Sequence, residues 1–181
     1  MQYKSQFRNL TLSALFLALC LLLPFLTGQI PTIGQALSPM HIPVFLCGFV
    51  CGWPWGLGVG FIAPLLRYLL FGMPSIYPAG LAMAFELAAY GALSGIFYRL
   101  LPKRIPYIYL SLVLSMLLGR CVWGAARFIM AGLGGSEFSF AMFLSGAFTT
   151  AVPGIICHII IVPAVVILLK KGKLISVESN V

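Results

Sequence analysis

The chain has 181 residues, of which 61% are hydrophobic and only 8% charged, with a formal net charge of +8 and a mean hydropathy of +1.08. A soluble domain of this size needs far more polar surface, so the composition excludes one and indicates an integral membrane protein. The apolar runs are continuous and lack period-2 alternation, which excludes β-barrel strands and leaves an all-α polytopic bundle.

A helix that crosses the hydrocarbon needs ~20 apolar residues, and the chain has room for about six. The first predicted helix covers about 9–26, followed by a loop over 27–38. Its basic start and apolar run resemble a signal peptide, but Thr27-Gly28-Gln29 offers no small-x-small cleavage site, so it reads as a retained helix. The second helix is predicted at about 39–52, the third at about 55–72 beyond a Trp53-Pro54-Trp55 turn, and the fourth at about 78–100. The fifth covers about 105–132, and a polar, glycine-rich connection with a short amphipathic piece fills 133–151. The sixth covers about 152–171. Together they make a single six-helix transmembrane domain over 1–181.

Basic residues set the orientation. Lys4 and Arg8 precede the first helix, Arg99, Lys103 and Arg104 lie between the fourth and fifth, and Lys170, Lys171 and Lys173 follow the sixth. The loops 27–38, 73–77 and 133–151 carry no Lys or Arg, so both termini are predicted to be cytoplasmic. The positive charge is therefore mainly a topology signal and does not call for a nucleic-acid partner. Cys20, Cys47, Cys51, Cys121 and Cys157 all fall inside predicted helices without a CxxC pair, as small apolar fillers do.

Six residues are left that topology does not explain: Arg67, Arg120, Arg127, Glu86, His41 and His158. A charge at a helix centre costs about 2.5–3.5 kcal/mol on insertion scales, so these groups must be paired or wetted. At about 1.5 Å per residue from the predicted outer helix ends, Arg67, Glu86, Arg127, His158 and His41 fall in one layer, and Arg120 falls deeper. On the fifth helix Arg120, Trp123, Gly124 and Arg127 recur at i, i+3, i+4 and i+7 and share a face. Met83, Glu86 and Tyr90 share a face of the fourth. Glu86 is thus expected to wall a polar cavity open to the outside, facing Arg67 or Arg127. The competing reading is a buried ion pair that only holds the bundle together. The excess of arginines over acids favours an anionic or zwitterionic ligand. Either histidine fits helix packing as well as ligand contact, and Trp123 and Tyr77 fit interfacial anchoring as well as stacking.

Small residues mark packing surfaces. Ala14 and Ala18 stand four apart on a leucine-rich first helix, and Gly91 and Gly95 repeat the spacing on the fourth. Gly48, Gly52, Gly56 and Gly60 are expected to pack the second and third helices together. There is no GxxxxGK[ST] stretch, so the energy for uphill transport must come from a partner or an ion gradient.

With six helices, AxxxA on the first, a long outer loop before the second and a final PGIICHIIIVPAVVILLKK, the whole chain resembles the substrate-binding S component of energy-coupling factor (ECF) vitamin transporters. The stretch LSPMHIPVFLCGFVCGWPWGLGVGFIAPLLRYLLFGMPSIYPAGLAMAFELAAYG is less like the riboflavin, thiamine or biotin members. The resemblance implies capture of a vitamin from outside, docking through the first helix on a transmembrane coupling subunit driven by two ATPases, and toppling to release substrate inside. Ala14 and Ala18 match the docking motif, Thr27 to Ser38 the lid, and Glu86, Trp123, Arg127 and His158 lie on helices that line the family's pocket. Met40-His41-Ile42-Pro43 echoes the start of the nickel and cobalt members. Here it is internal, with no free amine, so no metal is expected.

Two other classes compete. An autonomous proton-coupled transporter would use Glu86 as carrier, but a glutamate beside two arginines stays ionised across ordinary pH. An intramembrane hydrolase would pair Ser94, in Gly91-Ala92-Leu93-Ser94-Gly95, with His158, yet counted depth leaves them roughly 13 Å apart. The chain is therefore read as a non-enzymatic, cofactor-free subunit in a prokaryotic plasma membrane. It is expected to bind a small, water-soluble vitamin or related metabolite that bears a carboxylate, with pantothenate-like acids first and pyridine vitamins such as nicotinate or pyridoxine second. The expected substrate-binding residues are Glu86, Arg127, Arg67, Trp123, His158, His41, Tyr90 and Arg120.

Overall fold

In the computed structural model, which describes residues 2–27, 36–134 and 137–172, the chain is helical throughout and no strand occurs among the described residues. Helix α1 (Gln2–Leu22) continues into a tighter turn over Leu23–Thr27. Helix α2 (His41–Cys51) and helix α3 (Trp53–Phe71) follow, then a kinked, wide turn over Ile76–Gly80 that leads into α4 (Leu81–Leu100). Helix α5 (Ile105–Gly134) is the longest. A short α6 (Phe140–Leu144) widens into a loose turn over Ser145–Thr149, and α7 (Val152–Lys171) closes the fold.

Five segments among the described residues are long and apolar enough to cross a membrane: Ser5–Leu26, Trp53–Phe71, Ile76–Leu100, Ile105–Gly134 and Val152–Lys171. The second predicted helix departs from expectation. At 11 residues α2 is about 16 Å long, too short to span, and nine of its residues are buried. It is the bundle's central post. It packs against α1, α3, α4 and α7, and Val44, Phe45 and Cys47 meet Leu87 and Tyr90 of α4 and Val162 and Val166 of α7 in the core.

The break between α2 and α3 also falls elsewhere than expected. It is the single residue Gly52, at φ +92°, a backbone conformation natural only to glycine. Trp53-Pro54-Trp55 is the first turn of α3, where proline's missing N–H breaks no helical bond.

The glycine series likewise joins three helices, with α4 as the common partner. A Cβ on Gly56 would lie 2.4 Å from the Gly91 carbonyl oxygen, one on Gly91 2.1 Å from that of Gly56, and one on Gly60 2.2 Å from that of Leu87. Backbone meets backbone along this seam, as small residues allow where van der Waals packing replaces the hydrophobic effect.

One end of the bundle is basic. Lys103 Nζ donates to the Tyr98 carbonyl and lies over the Tyr98 ring, and Lys170 Nζ donates to the Lys103 carbonyl. Burial lowers the Lys103 pKa, and Lys170 and Arg99 add to the effect. At this same end Asn9 Nδ2 donates to the Cys51 carbonyl at 3.5 Å.

Candidate functional site

Helix α4 enters the bundle with Glu86 on its buried side, 3% exposed. One carboxylate oxygen, Oε1, accepts from Arg120 Nη1 at 2.9 Å and from the Tyr90 hydroxyl at 2.7 Å, and His41 Nε2 stands 3.8 Å away. Charge-assisted bonds of this length are the strong kind, and they satisfy a group that would otherwise be very costly to bury. Gly119 makes room for the Tyr90 ring, since a Cβ there would lie 2.2 Å from it.

The expected partners of Glu86 need correcting. Neither Arg67 nor Arg127 faces it. Counting depth from each helix's outer end assumes that those ends are level, and they are not: α5 has 30 residues, about 45 Å, and α4 has 20, about 30 Å. Counted from the short turn the two share at the basic end, Glu86 stands 14 residues before Leu100 and Arg120 15 after Ile105, which puts them side by side.

Arg67 is 5% exposed and engaged elsewhere. Its Nη1 donates to the Leu21 carbonyl at 2.9 Å, and its guanidinium lies 5.4 Å from the Phe25 and Phe71 rings alike, tying α3 to the end of α1.

The two histidines do join the Glu86 cluster. The Ser38 carbonyl oxygen accepts from His41 Nδ1 at 3.0 Å and from His158 Nε2 at 3.3 Å, and the two rings are 5.6 Å apart. His41 and Phe45 both pack on the Tyr90 ring. His41 Nε2 is buried without a hydrogen-bond partner. Ser38 ends the expected lid; residues 28–35 of that segment lie outside the described residues. Gly154 at the start of α7 seats the stretch just before Ser38, because a Cβ there would lie 2.6 Å from the Ala36 carbonyl oxygen. Ser94, the nucleophile of the hydrolase reading, instead donates to the Gly91 carbonyl at 3.1 Å, deep in the α4 seam.

Arg127 and Trp123 form a second centre, further along α5 from the basic end. The Arg127 guanidinium lies 5.4 Å over the Phe138 ring, and its Nε is buried with no hydrogen-bond partner. Trp123 stacks on Phe143 at 6.3 Å and meets Phe138 edge-on at 5.9 Å. Beside them a cleft of about 400 Å³ lies between α5 and the 138–143 segment. A smaller cleft of about 180 Å³, bounded by Arg120, Ala147, Phe148 and Ile155, separates α5 from α7.

The aromatic segment is what the reading of 133–151 as a polar connection missed. Phe138, Phe140, Phe143 and Phe148, four rings within eleven residues, were the signal. Tyr77 reaches the same end of α5, donating to the Met130 carbonyl at 2.6 Å. Among the described residues no three His, Cys, Asp or Glu side chains converge on a point where they could hold a metal ion.

The residues expected to dock a partner lie apart from both centres. Ser13, Phe16 and Cys20 of α1 are buried against the bundle, and Ala14 and Ala18 are exposed on its outer side.

Comparison with protein families matches residues 8–166 to the model described as "ECF transporter, substrate-specific component". No curated protein and no solved structure matches the chain.

Proposed function

The chain belongs to the substrate-specific components of ECF transporters, membrane proteins of transport, and we propose that it captures a small, water-soluble, carboxylate-bearing vitamin or related metabolite from outside the cell. The observation that carries this reading is the contrast among the three arginines that topology leaves over. Arg120 has Glu86, Arg67 has a carbonyl and two rings, and Arg127 has a ring and a buried Nε with no hydrogen-bond partner. A cation left without an anion is suited to an anionic solute.

In this reading Arg127 and Trp123 contact the solute. Glu86, Arg120, Tyr90, His41 and His158 form the braced floor beneath them, and Arg67 braces α1. The captured solute passes inward when α1 docks through Ala14 and Ala18 on a transmembrane coupling subunit driven by two ATPases. The exposure of both alanines supports that role. The setting is a prokaryotic plasma membrane with both termini cytoplasmic, in keeping with the basic end formed by Arg99, Lys103, Lys170 and Lys171. Glu86, engaged by Arg120 and Tyr90, is poorly placed to serve as a mobile proton carrier.

The test is native mass spectrometry of the protein purified gently from its host membrane. A co-purified small acid that is lost in Arg127→Ala supports capture. A protein that holds no solute, and whose co-expression with coupling partners confers no uptake, refutes it.

A further inference from the structure

The basic end of the bundle carries a charge imbalance that solute capture does not use. Lys103 and Arg104 immediately precede α5, and the first turn of that helix contains no acidic residue. The free N–H groups at a helix start form a positive pole that favours anions, so two cations there are on the wrong side of it. Lys170 of α7 adds to the crowding. Its Nζ donates to the Lys103 carbonyl, and its charge joins burial and Arg99 in lowering the Lys103 pKa. The two acids among the described residues lie elsewhere: Glu86 is bonded to Arg120, and Glu137 follows the opposite end of α5.

The cations are nonetheless held in place. Lys103 Nζ donates to the Tyr98 carbonyl and stands 3.9 Å from the centre of the Tyr98 ring, which packs edge-on against Phe49 of α2 at 5.2 Å. The Arg104 amide donates to the Pro102 carbonyl at 2.8 Å and tightens the turn. An ammonium group has three donors, so Lys103 and Lys170 each keep two after serving a carbonyl. Carbonyls are neutral, so neither bond cancels any charge. The turn joins the spanning segments Ile76–Leu100 and Ile105–Gly134, and Lys170 lies at the end of a third, Val152–Lys171. These groups therefore sit at the ends of the spans, where hydrocarbon gives way to headgroups.

We propose that the α4–α5 turn binds the phosphate of one anionic phospholipid, held between Lys103, Lys170 and Arg99 at the start of α5. A phosphate offers several acceptor oxygens to ammonium and guanidinium donors, and its charge offsets both the cations and the helix pole. Basic pockets between membrane helices take such headgroups. A zwitterionic headgroup would bring its own ammonium to a place already oversupplied with cations, so the site selects a headgroup that carries none. The assignment uses no residue of the solute reading and stands or falls apart from it.

The experiment is native mass spectrometry of the purified protein released from nanodiscs of equal phosphatidylglycerol and phosphatidylcholine. One phosphatidylglycerol is expected to stay bound, preferred over phosphatidylcholine by about fivefold or more, with any second lipid held more weakly. Lys103→Gln with Lys170→Gln should narrow the preference to within about twofold. Lys4→Gln with Arg8→Gln removes the same two charges from α1 and should leave the preference near that of the wild type. The wild-type comparison of the two lipids needs no variant, so a folding defect cannot hide the result.

The assignment is overturned if bound lipids follow the composition of the disc, or if phosphatidylglycerols are retained in a graded series with no distinct first one. It is equally overturned if the α1 pair costs as much preference as the turn pair, because the attraction is then diffuse. Displacement of the lipid by inorganic phosphate would also overturn it, since the site would then serve a soluble anion.

Discussion

Arg120 and Arg127 stand two turns apart on one face of α5, and their surroundings are opposite. Arg120 is 12% exposed at its side chain and bonded to a buried carboxylate that Tyr90 also holds. Arg127 rests on an aromatic ring with its Nε unanswered. The same residue type, at helical spacing, holds a buried carboxylate in one place and lies over a ring with its Nε unpaired in the other. Sequence periodicity cannot separate the two, because the difference lies in which helix stands opposite.

The comparison is broken most forcefully at Arg120. Arg120→Ala leaves Glu86 buried without its cation and should lower stability by about 3–5 kcal/mol, read by SDS titration of the purified protein. Pairing it with Glu86→Leu should recover most of that loss. If the double variant is no more stable than the single one, the pair is not what holds α4 to α5.

Tyr90→Phe removes one bond to the same carboxylate and should cost about 1.5–3 kcal/mol in the same assay. Arg127→Gln should move stability by less than about 0.5 kcal/mol, yet it should abolish solute binding. Equal losses of stability at Arg120 and Arg127 would erase the distinction between them. Smallest of all in stability, and still decisive for function, are Ala14→Trp and Ala18→Trp. Each should stay within about 0.5 kcal/mol of wild type and bind solute normally, while uptake with the coupling partners is abolished. Normal uptake in both would remove α1 as the docking face.

Long apolar runs made the spanning helices readable to within a few residues, since nothing but length and hydropathy sets them. AxxxA was readable for the same local reason, and the structure places both alanines on the outer surface of α1. What local pattern could not give was tertiary register. The partner of Glu86 depends on where α4 and α5 meet, and their outer ends are not level. The glycine series shows its spacing but not its partner, because α4 contributes the opposing carbonyls, of Leu87 and Gly91, from 27 to 43 residues downstream. The length of α2 was overestimated because a buried half-helix and a spanning helix look alike in hydropathy. In 133–151 local pattern gives a connection with a short amphipathic piece, whereas the contacts of Phe138 and Phe143 with Trp123 depend on how that piece folds back on α5.

The carbonyl of Ser38 has one further consequence. A carbonyl can only accept, so the nitrogen that each imidazole points at it must carry a proton: Nδ1 in His41 and Nε2 in His158. The two rings, neighbours in one pocket, are thereby held in opposite tautomers where both are neutral. Their nitrogen-15 shifts should be mirror images, protonated-type at Nδ1 for one and at Nε2 for the other. Any movement that lifts Ser38 off α2 and α7 would release both rings at once, so this pair of signals reports the seating of the segment with no probe added to the protein.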